Sequence, residues 1–210
     1  MTTIFISGSR EVPFVPDEAL ARVDRIMGSG FDVVVGDSER GVDAEVLRYL
    51  ASRAYESVSV YTIHGRPRVK GVLDAWHVCK IGPDAAAKTD ASGNVRNRRE
   101  LETAKDRAMG EVADYGLVVW QSTYANRFGN TSVSRGSLRN MFQLLDDGKP
   151  VVLYKATSTD GATSFDCHEL RSLDDLRALV ASEPPVVARA LAEIEKAERK
   201  VRKRSPSLFD

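Results

Sequence analysis

Short apolar strands, each followed by a small-residue turn and then a helix, recur through the first 154 residues. Continuous apolar runs of this length are typical of strands that are covered on both faces. Their repetition in strand–helix units predicts a parallel sheet with helices on both sides. The five strands are predicted at residues 4–6, 31–35, 58–63, 115–120 and 151–154. We therefore predict an α/β three-layer sandwich with a mostly parallel sheet of about five strands.

The segment from Lys105 to Asn140 contains the turn that most clearly indicates a binding site. Its strand is followed by a polar loop that ends in Ser134-Arg135-Gly136-Ser137, and an amphipathic helix pattern begins there. A glycine and a serine at a helix start can leave backbone N–H groups and a hydroxyl free to hold a phosphate. The alternative is an ordinary helix N-cap.

Two further turns resemble anion-binding turns. Gly8-Ser9-Arg10 follows the first strand, where small residues permit close approach of the backbone and the arginine can pair with a phosphate. Gly36-Asp37 follows the second strand, and Gly41-Val42-Asp43 opens the next helix. Asp43 is a candidate ligand contact, with helix capping as the alternative. Trp120 ends its strand where a base could stack, but core packing is the favoured role for its side chain.

The composition excludes several classes of protein. The 210 residues suffice for one sizeable core, and 30 basic residues balance 30 acidic ones, so no overall field favours nucleic acid or an anionic membrane. Cys79 and Cys167 lie far apart, which argues against a disulfide framework. The three histidines are isolated, so we expect no metal and no cofactor. With no secretory leader or membrane span in the pattern, we expect a cytoplasmic protein without a membrane partner.

The chain is predicted to divide into a sheet domain over residues 1–155 and a helical C-terminal extension over residues 156–210. Residues 66–96 show no sustained period, and we expect one helical turn at residues 72–76 and an exposed loop over 83–93. In the extension we expect a short edge strand at residues 163–165 and a helix capped by Ser172. A last helix starts at Pro184-Pro185 and ends in a basic run over residues 199–204. These basic residues could contact nucleic acid, but nucleic acid is a less favoured partner than a small nucleotide ligand.

Together, the ordered motifs over about residues 3–154 resemble the SLOG superfamily of Rossmann-like proteins. These proteins are relatives of the Lonely Guy phosphoribohydrolases and of DNA-processing protein A. The motifs that carry the resemblance are Gly8-Ser9-Arg10, Gly36-Asp37 with Gly41-Val42-Asp43, Lys105 to Met109, and Ser134 to Ser137. The resemblance implies a nucleotide or nucleotide-derived ligand, with its phosphate on Gly136 and Ser137. It also implies a homo-oligomer, most simply a homodimer.

The chain departs from the hydrolases of that family at two positions. Asn140 stands where they carry a glutamate, and Lys105 where they carry an arginine. A neutral amide stabilises the positive charge that develops at a breaking glycosidic bond less well than a carboxylate. We therefore expect binding or sensing of the ligand, with two alternatives. One is an N-glycosidase that releases a base and uses Asp37, Lys105 and Asn140; the other is a DNA-binding accessory protein.

Overall fold

A computed structural model describes residues 1–82, 98–159 and 161–202 of the chain. Seven strands form the central sheet, and β6 and β7 form a separate hairpin. The strands are β1 (Thr3–Gly8), β2 (Asp32–Gly36), β3 (Val58–Thr62), β4 (His77–Lys80), β5 (Tyr115–Gln121), β6 (Thr123–Ala125), β7 (Thr131–Val133), β8 (Val151–Thr159) and β9 (Ala162–Leu170). The helices are α1 (Asp17–Gly28), α2 (Val42–Ser52), α3 (Arg98–Val112), α4 (Arg135–Asp146), α5 (Leu173–Ala181) and α6 (Pro185–Arg202).

The strand order of the central sheet is β4-β3-β2-β1-β5-β8-β9. All neighbouring pairs are parallel except β8 and β9, which are antiparallel. The predicted α/β class, the mostly parallel sheet and the C-terminal helical extension are confirmed. All five predicted strands are present and occupy the centre of the sheet. Crossing helices cover both faces of these strands, which explains their continuous apolar sequences.

The two strands that the sequence does not show clearly lie at the edges of the sheet. Strand β4 is a short polar segment in the region where no period is visible, so its sequence carries no strand signal. In that region the single turn predicted at residues 72–76 is a hydrogen-bonded turn, with the Trp76 N–H donating to Leu73 O, and not part of a helix. The loop prediction for residues 83–93 lies outside the described residues.

Strand β9 is longer than the predicted edge strand at residues 163–165. It pairs with β8 from Ala162↔Thr159 to Leu170↔Val151, because an antiparallel partner can follow its neighbour along its full length. Strand β8 in turn runs on to Thr159, so the sheet continues past residue 155. The predicted cap at Ser172 is confirmed, since its hydroxyl accepts a hydrogen bond from the Asp175 N–H at 3.2 Å.

Each face of the sheet has its own hydrophobic core. One core contains side chains of α1 and α2, and the other contains side chains of α3, α4, α5 and α6. Helix α6 packs against α4 and α5, and its buried residues Val187, Ala190, Leu191 and Ile194 belong to the second core. Among the helices that the structure describes, none combines the length and the apolar character that a membrane crossing requires.

Candidate functional site

The predicted turns converge where the strand order reverses. Strands β1 and β5 are neighbours, yet the chain leaves β1 towards β2 and leaves β5 towards β8, on opposite sides. In open α/β sheets the crevice beyond the carboxyl ends of two such strands is where ligands bind. The loop after β1, the start of α2, the loop after β5 and the start of α4 all meet at this edge.

Three serine hydroxyls line the crevice between β1 and α4. Ser9 Oγ lies 2.8 Å from Ser134 Oγ, which in turn lies 3.5 Å from Ser137 Oγ. Ser9 Oγ also accepts a hydrogen bond from the Gln121 N–H at 3.0 Å, so it ties β5 to the loop after β1. The predicted phosphate loop and the turn after β1 are therefore in direct contact, although 125 positions separate Ser9 from Ser134.

The N-terminus of α4 opens towards this row of hydroxyls. The first helical hydrogen bond comes from the Leu138 N–H to Ser134 O at 3.3 Å, so the N–H groups of Arg135, Gly136 and Ser137 have no acceptor within the helix. The Ser134 hydroxyl faces Ser9 and does not cap the helix. A Cβ built on Gly136 would meet no heavy atom of the described residues within 4 Å. Backbone donors, hydroxyls and open space are thus together at one point.

Two glycines bring α2 close to the same edge. A Cβ at Gly8 would lie 2.3 Å from Val119 O and 2.4 Å from Val42 Cγ2, so only a glycine allows the start of α2 to pack on β1 and β5. Gly41 has φ +73°, and a Cβ there would lie 2.5 Å from the Ser9 carbonyl oxygen. Their role is therefore to position the backbone around the crevice.

Behind the crevice, Lys105 lies at the centre of a buried charge cluster. Its Nζ is 2.9 Å from Glu102, 3.5 Å from Asp37 and 4.0 Å from Asp106. A Cβ at Gly36 would lie 2.5 Å from Asp43 Oδ2 and 3.4 Å from Lys105 Nζ, so the glycine leaves the space in which Asp43 and Lys105 sit.

Asp37 is the most tightly held member of the cluster. It is completely buried; Arg68 donates to both of its oxygens at 3.1 and 3.0 Å, and Thr62 Oγ1 donates at 2.7 Å. Burial alone would raise the pKa of Asp37, but the hydrogen bonds from Arg68 and Thr62, with the charge of Lys105, lower it to about 2. Asp37 is therefore ionised at neutral pH, and its oxygens are engaged by the protein.

Two other carboxyl groups of the cluster, those of Asp43 and Asp106, have raised pKa values. Burial raises the pKa of Asp43, and the nearby charge of Lys105 offsets only part of this effect. Burial also raises the pKa of Asp106, to about 7, again against the opposing charge of Lys105. Burial lowers the pKa of Lys105, but Asp106, Asp43 and Glu102 outweigh it and raise that pKa overall. The cluster therefore contains a charged lysine and a carboxyl group that can exchange a proton near neutral pH.

Among the described residues, six buried side-chain polar atoms have no hydrogen-bond partner. They include Asn140 Oδ1 and Ser7 Oγ, on residues that are each 5% exposed. Ser7 follows the pair Ile6↔Val35, which places it beside Gly36 on the face of the sheet that carries Lys105. Further along α4, Leu144 lies against Gly116, so Asn140, one turn earlier, lies near the level of Ser7. A buried polar atom without a partner is costly, so each such atom calls for an explanation.

The side chains of three predicted ligand-contact residues are buried in the core or are paired with other residues of the protein. Trp120 is completely buried in the core, with its Nε1 donating to Ser134 O at 3.3 Å, so its ring has no free face for a base. Arg135 extends along the surface to Glu193 of α6 at 2.7 Å. Arg10 is exposed and donates from Nε to Ser38 Oγ at 3.0 Å, next to the start of α2.

The sequence prediction misses Arg68, Glu102 and Asp106. Arg68 lies in the segment after β3 that has no periodic pattern, so nothing in the sequence relates it to Asp37. Glu102 and Asp106 look like surface charges of a polar helix. The spacing of three residues places Glu102 beside the Lys105 ammonium group, whereas adjacent residues of a helix do not face each other, so the spacing gives no such signal for Asp106. In the described ranges, no group of three or more His, Cys, Asp or Glu side chains is arranged to hold a metal ion.

Comparisons of the chain with protein-family models, with curated proteins and with solved structures find no significant match.

Proposed function

We propose that this protein binds a nucleotide or nucleotide-derived ligand in the crevice between β1 and β5, as a sensor or carrier. The phosphate lies on the N–H groups of Arg135, Gly136 and Ser137 and on the serine hydroxyls beside them. The rest of the ligand extends inward, towards Lys105 and Asn140. Assignment to the SLOG superfamily is part of this proposal.

The observation that carries the proposal is the pair of unpartnered buried atoms, Asn140 Oδ1 and Ser7 Oγ. They lie behind the N-terminus of α4, whose first N–H groups have no acceptor within the helix. A ligand with a phosphate at one end and hydrogen-bond donors, such as hydroxyl groups, at the other would satisfy both sets of groups. Phosphate alone would leave Asn140 Oδ1 without a donor, because phosphate presents mainly acceptor oxygens at neutral pH; the Ser7 hydroxyl can donate or accept.

Two features favour binding over hydrolysis. The Asp37 carboxylate is engaged by Arg68 and Thr62, so it is not free to stabilise a reacting sugar. Asn140 is neutral, and its oxygen offers a dipole in place of a full negative charge.

An N-glycosidase is the second candidate, and the pKa of Asp106 favours it. A carboxyl group with a pKa of about 7 can donate a proton to a departing base at neutral pH. In this alternative Asp106 is the general acid. Water replaces the base at the anomeric carbon and supplies the hydroxyl group and the proton that balance the reaction.

Thermal unfolding with a panel of ligands tests the binding proposal. Ribonucleoside 5′-monophosphates at concentrations well above Kd are expected to raise Tm by several degrees, since a ligand at about 100 times Kd adds about 2.7 kcal/mol of stability. The matching nucleosides and inorganic phosphate are expected to raise it less. If neither these nucleotides nor cyclic dinucleotides and dinucleotide cofactors change Tm, the proposal is wrong.

Chromatography of the same mixtures tests the hydrolase alternative. Free base that accumulates with the wild-type protein, and falls at least tenfold with Asp106→Asn, supports the enzyme. Binding without release of base supports the sensor or carrier.

A further inference from the structure

Strand β9 leaves one edge of the central sheet open. It is the last strand in the order, and no other strand in the described parts of the chain pairs with its outer side. Alternate N–H and C=O groups along its nine residues, Ala162–Leu170, therefore point away from β8. Such an edge is a ready template for another strand.

Three of the usual protections of an exposed edge, lysine, proline and a bulge, are absent from β9, although the strand carries the charged residues Asp166 and Glu169. Its sequence, ATSFDCHEL, contains no lysine, proline or glycine. Its pairing with β8 runs without interruption from Ala162 to Leu170, so no bulge turns the edge away. Edge strands that avoid pairing commonly use at least one of these devices.

The same sequence is self-complementary in one antiparallel register. With Cys167 opposite Cys167 of a second copy, Asp166 of each chain faces His168 of the other, and Phe165 faces Glu169. The register centred on Asp166 would place two carboxylates opposite each other, which is unfavourable. The register centred on Phe165 pairs no charged groups. Of these three registers, only the one centred on Cys167 brings acidic and basic side chains together.

The directions of the side chains agree with this register. Cys167 pairs with Tyr154 of β8 and lies 3.9 Å from Arg22 of α1, so it is on the α1 face of the sheet. Asp166 and His168 point to the opposite face, because neighbouring residues of a strand alternate. A two-fold axis perpendicular to the sheet keeps each set on its own face, so the Asp166–His168 contacts can form on both sides of the axis.

We propose that two copies of this chain pair through β9 in this register and form one continuous fourteen-stranded sheet, twice the seven strands of a single copy. The partner is a second copy of this chain, chosen by the complementarity of the Asp166 and His168 side chains. The ligand crevice lies between β1 and β5, two strands away from β9, so this interface forms whether or not the crevice is occupied.

Sedimentation velocity over about 1–100 μM protein tests the interface. The wild-type protein is expected to be dimeric at the upper end of this range, and Asp166→Lys monomeric, because its lysine would face His168 of the partner. The double variant Asp166→Lys with His168→Glu is expected to restore the dimer through exchanged charges. Asp174→Lys, at an 89% exposed position on α5, is the control and is expected to behave as wild type.

Disulfide cross-linking tests the register. Directly opposed residues of antiparallel strands have Cα atoms about 4.5–5.5 Å apart, which a disulfide can span. Copper-catalysed air oxidation, which removes two electrons and two protons from the two thiols, is expected to link wild-type and Cys79→Ser chains into covalent dimers but not Cys167→Ser chains. The proposal is wrong if the protein is monomeric at about 100 μM, if Asp166→Lys leaves the dimer intact, or if Cys167→Ser chains still cross-link.

Discussion

Lys105 Nζ lies 3.5 Å from Asp37 Oδ1, and this contact joins the middle of α3 to the end of β2. Both side chains are almost completely buried, with 5% and 0% of their surface exposed. Charged groups at such depth are stable only when other charges and hydrogen bonds replace water. The contact therefore fixes α3 over the carboxyl end of the sheet, behind the point where the ligand is proposed to bind.

Asp37→Asn is expected to lower the free energy of unfolding by about 3–5 kcal/mol at pH 7, because it leaves Arg68 and Lys105 without their shared carboxylate. The pKa of Asp37 is below its ordinary value, so its contribution is complete above about pH 4 and is lost as the pH falls towards 2. Urea unfolding at pH 7 and pH 3 measures this difference. Asp24→Asn is the control and should cost less than about 1 kcal/mol, because the exposed Asp24 is 3.9 Å from Arg53 and its hydrogen bond from the Tyr49 hydroxyl can be kept by the amide oxygen. Equal losses for the two variants would contradict the importance of the buried cluster.

Asp106→Asn should have the opposite pH dependence. Because the folded protein raises the pKa of Asp106 to about 7, the carboxyl group destabilises the fold progressively as the pH rises from about 4 through 7. The variant removes this penalty, so its stability relative to wild type is expected to increase between pH 5 and pH 8, by about 1–3 kcal/mol. Urea unfolding at both pH values provides the measurement. A constant difference between variant and wild type would show that Asp106 ionises normally.

Gly136→Asp separates stability from anion binding at α4. A carboxylate in the first turn of a helix is favourable by about 0.3–1 kcal/mol, and the space at Gly136 is open, so the fold should be unharmed. The same charge should repel a phosphate and weaken adenosine monophosphate binding at least tenfold in calorimetric titration. Gly136→Asn is the uncharged control and should bind within a few-fold of wild type. Similar affinities for the Asp and Asn variants would place the phosphate elsewhere.

Glu198 provides a test of how the C-terminal extension is held. It accepts a hydrogen bond from Arg107 of α3 at 2.6 Å and another from Gln143 of α4 at 3.4 Å. Glu198→Ala should cost about 2–4 kcal/mol, since it leaves Arg107 without its buried partner. Glu193→Ala removes an exposed partner of Arg135 and should cost less than about 1 kcal/mol. Chemical denaturation compares the two variants, and a similar loss in both would argue against a structural role for Glu198.

The fold was largely predictable because the central strands are apolar at nearly every position, and this pattern indicates that both faces of each strand are buried. Runs such as Leu117–Trp120 are apolar at every position, and this pattern is typical of a strand that is covered on both faces. The edges were less predictable: β4 is polar and short, and the length of β9 is set by its antiparallel partner.

The candidate site was predictable where it depends on the backbone. The glycines and serines at the strand ends indicated the crevice. Its charged interior was not predictable, because Arg68 reaches Asp37 from a segment without periodicity, and Asp106 acquires its raised pKa only through burial. The exclusion of Trp120 from the crevice likewise follows from packing that no local pattern shows.

Amide chemical shifts recorded during titration with adenosine monophosphate test the proposed binding site most directly. Binding in the crevice predicts that the largest changes occur at Ser9, Arg10 and the consecutive amides of Arg135, Gly136 and Ser137, with saturation at one ligand per chain. Inorganic phosphate should move the amides at the start of α4 but leave the Asn140 side-chain amide unchanged, whereas the nucleotide should move both. No change at the start of α4 at millimolar nucleotide, or changes confined to another surface, would contradict a nucleotide site between β1 and β5.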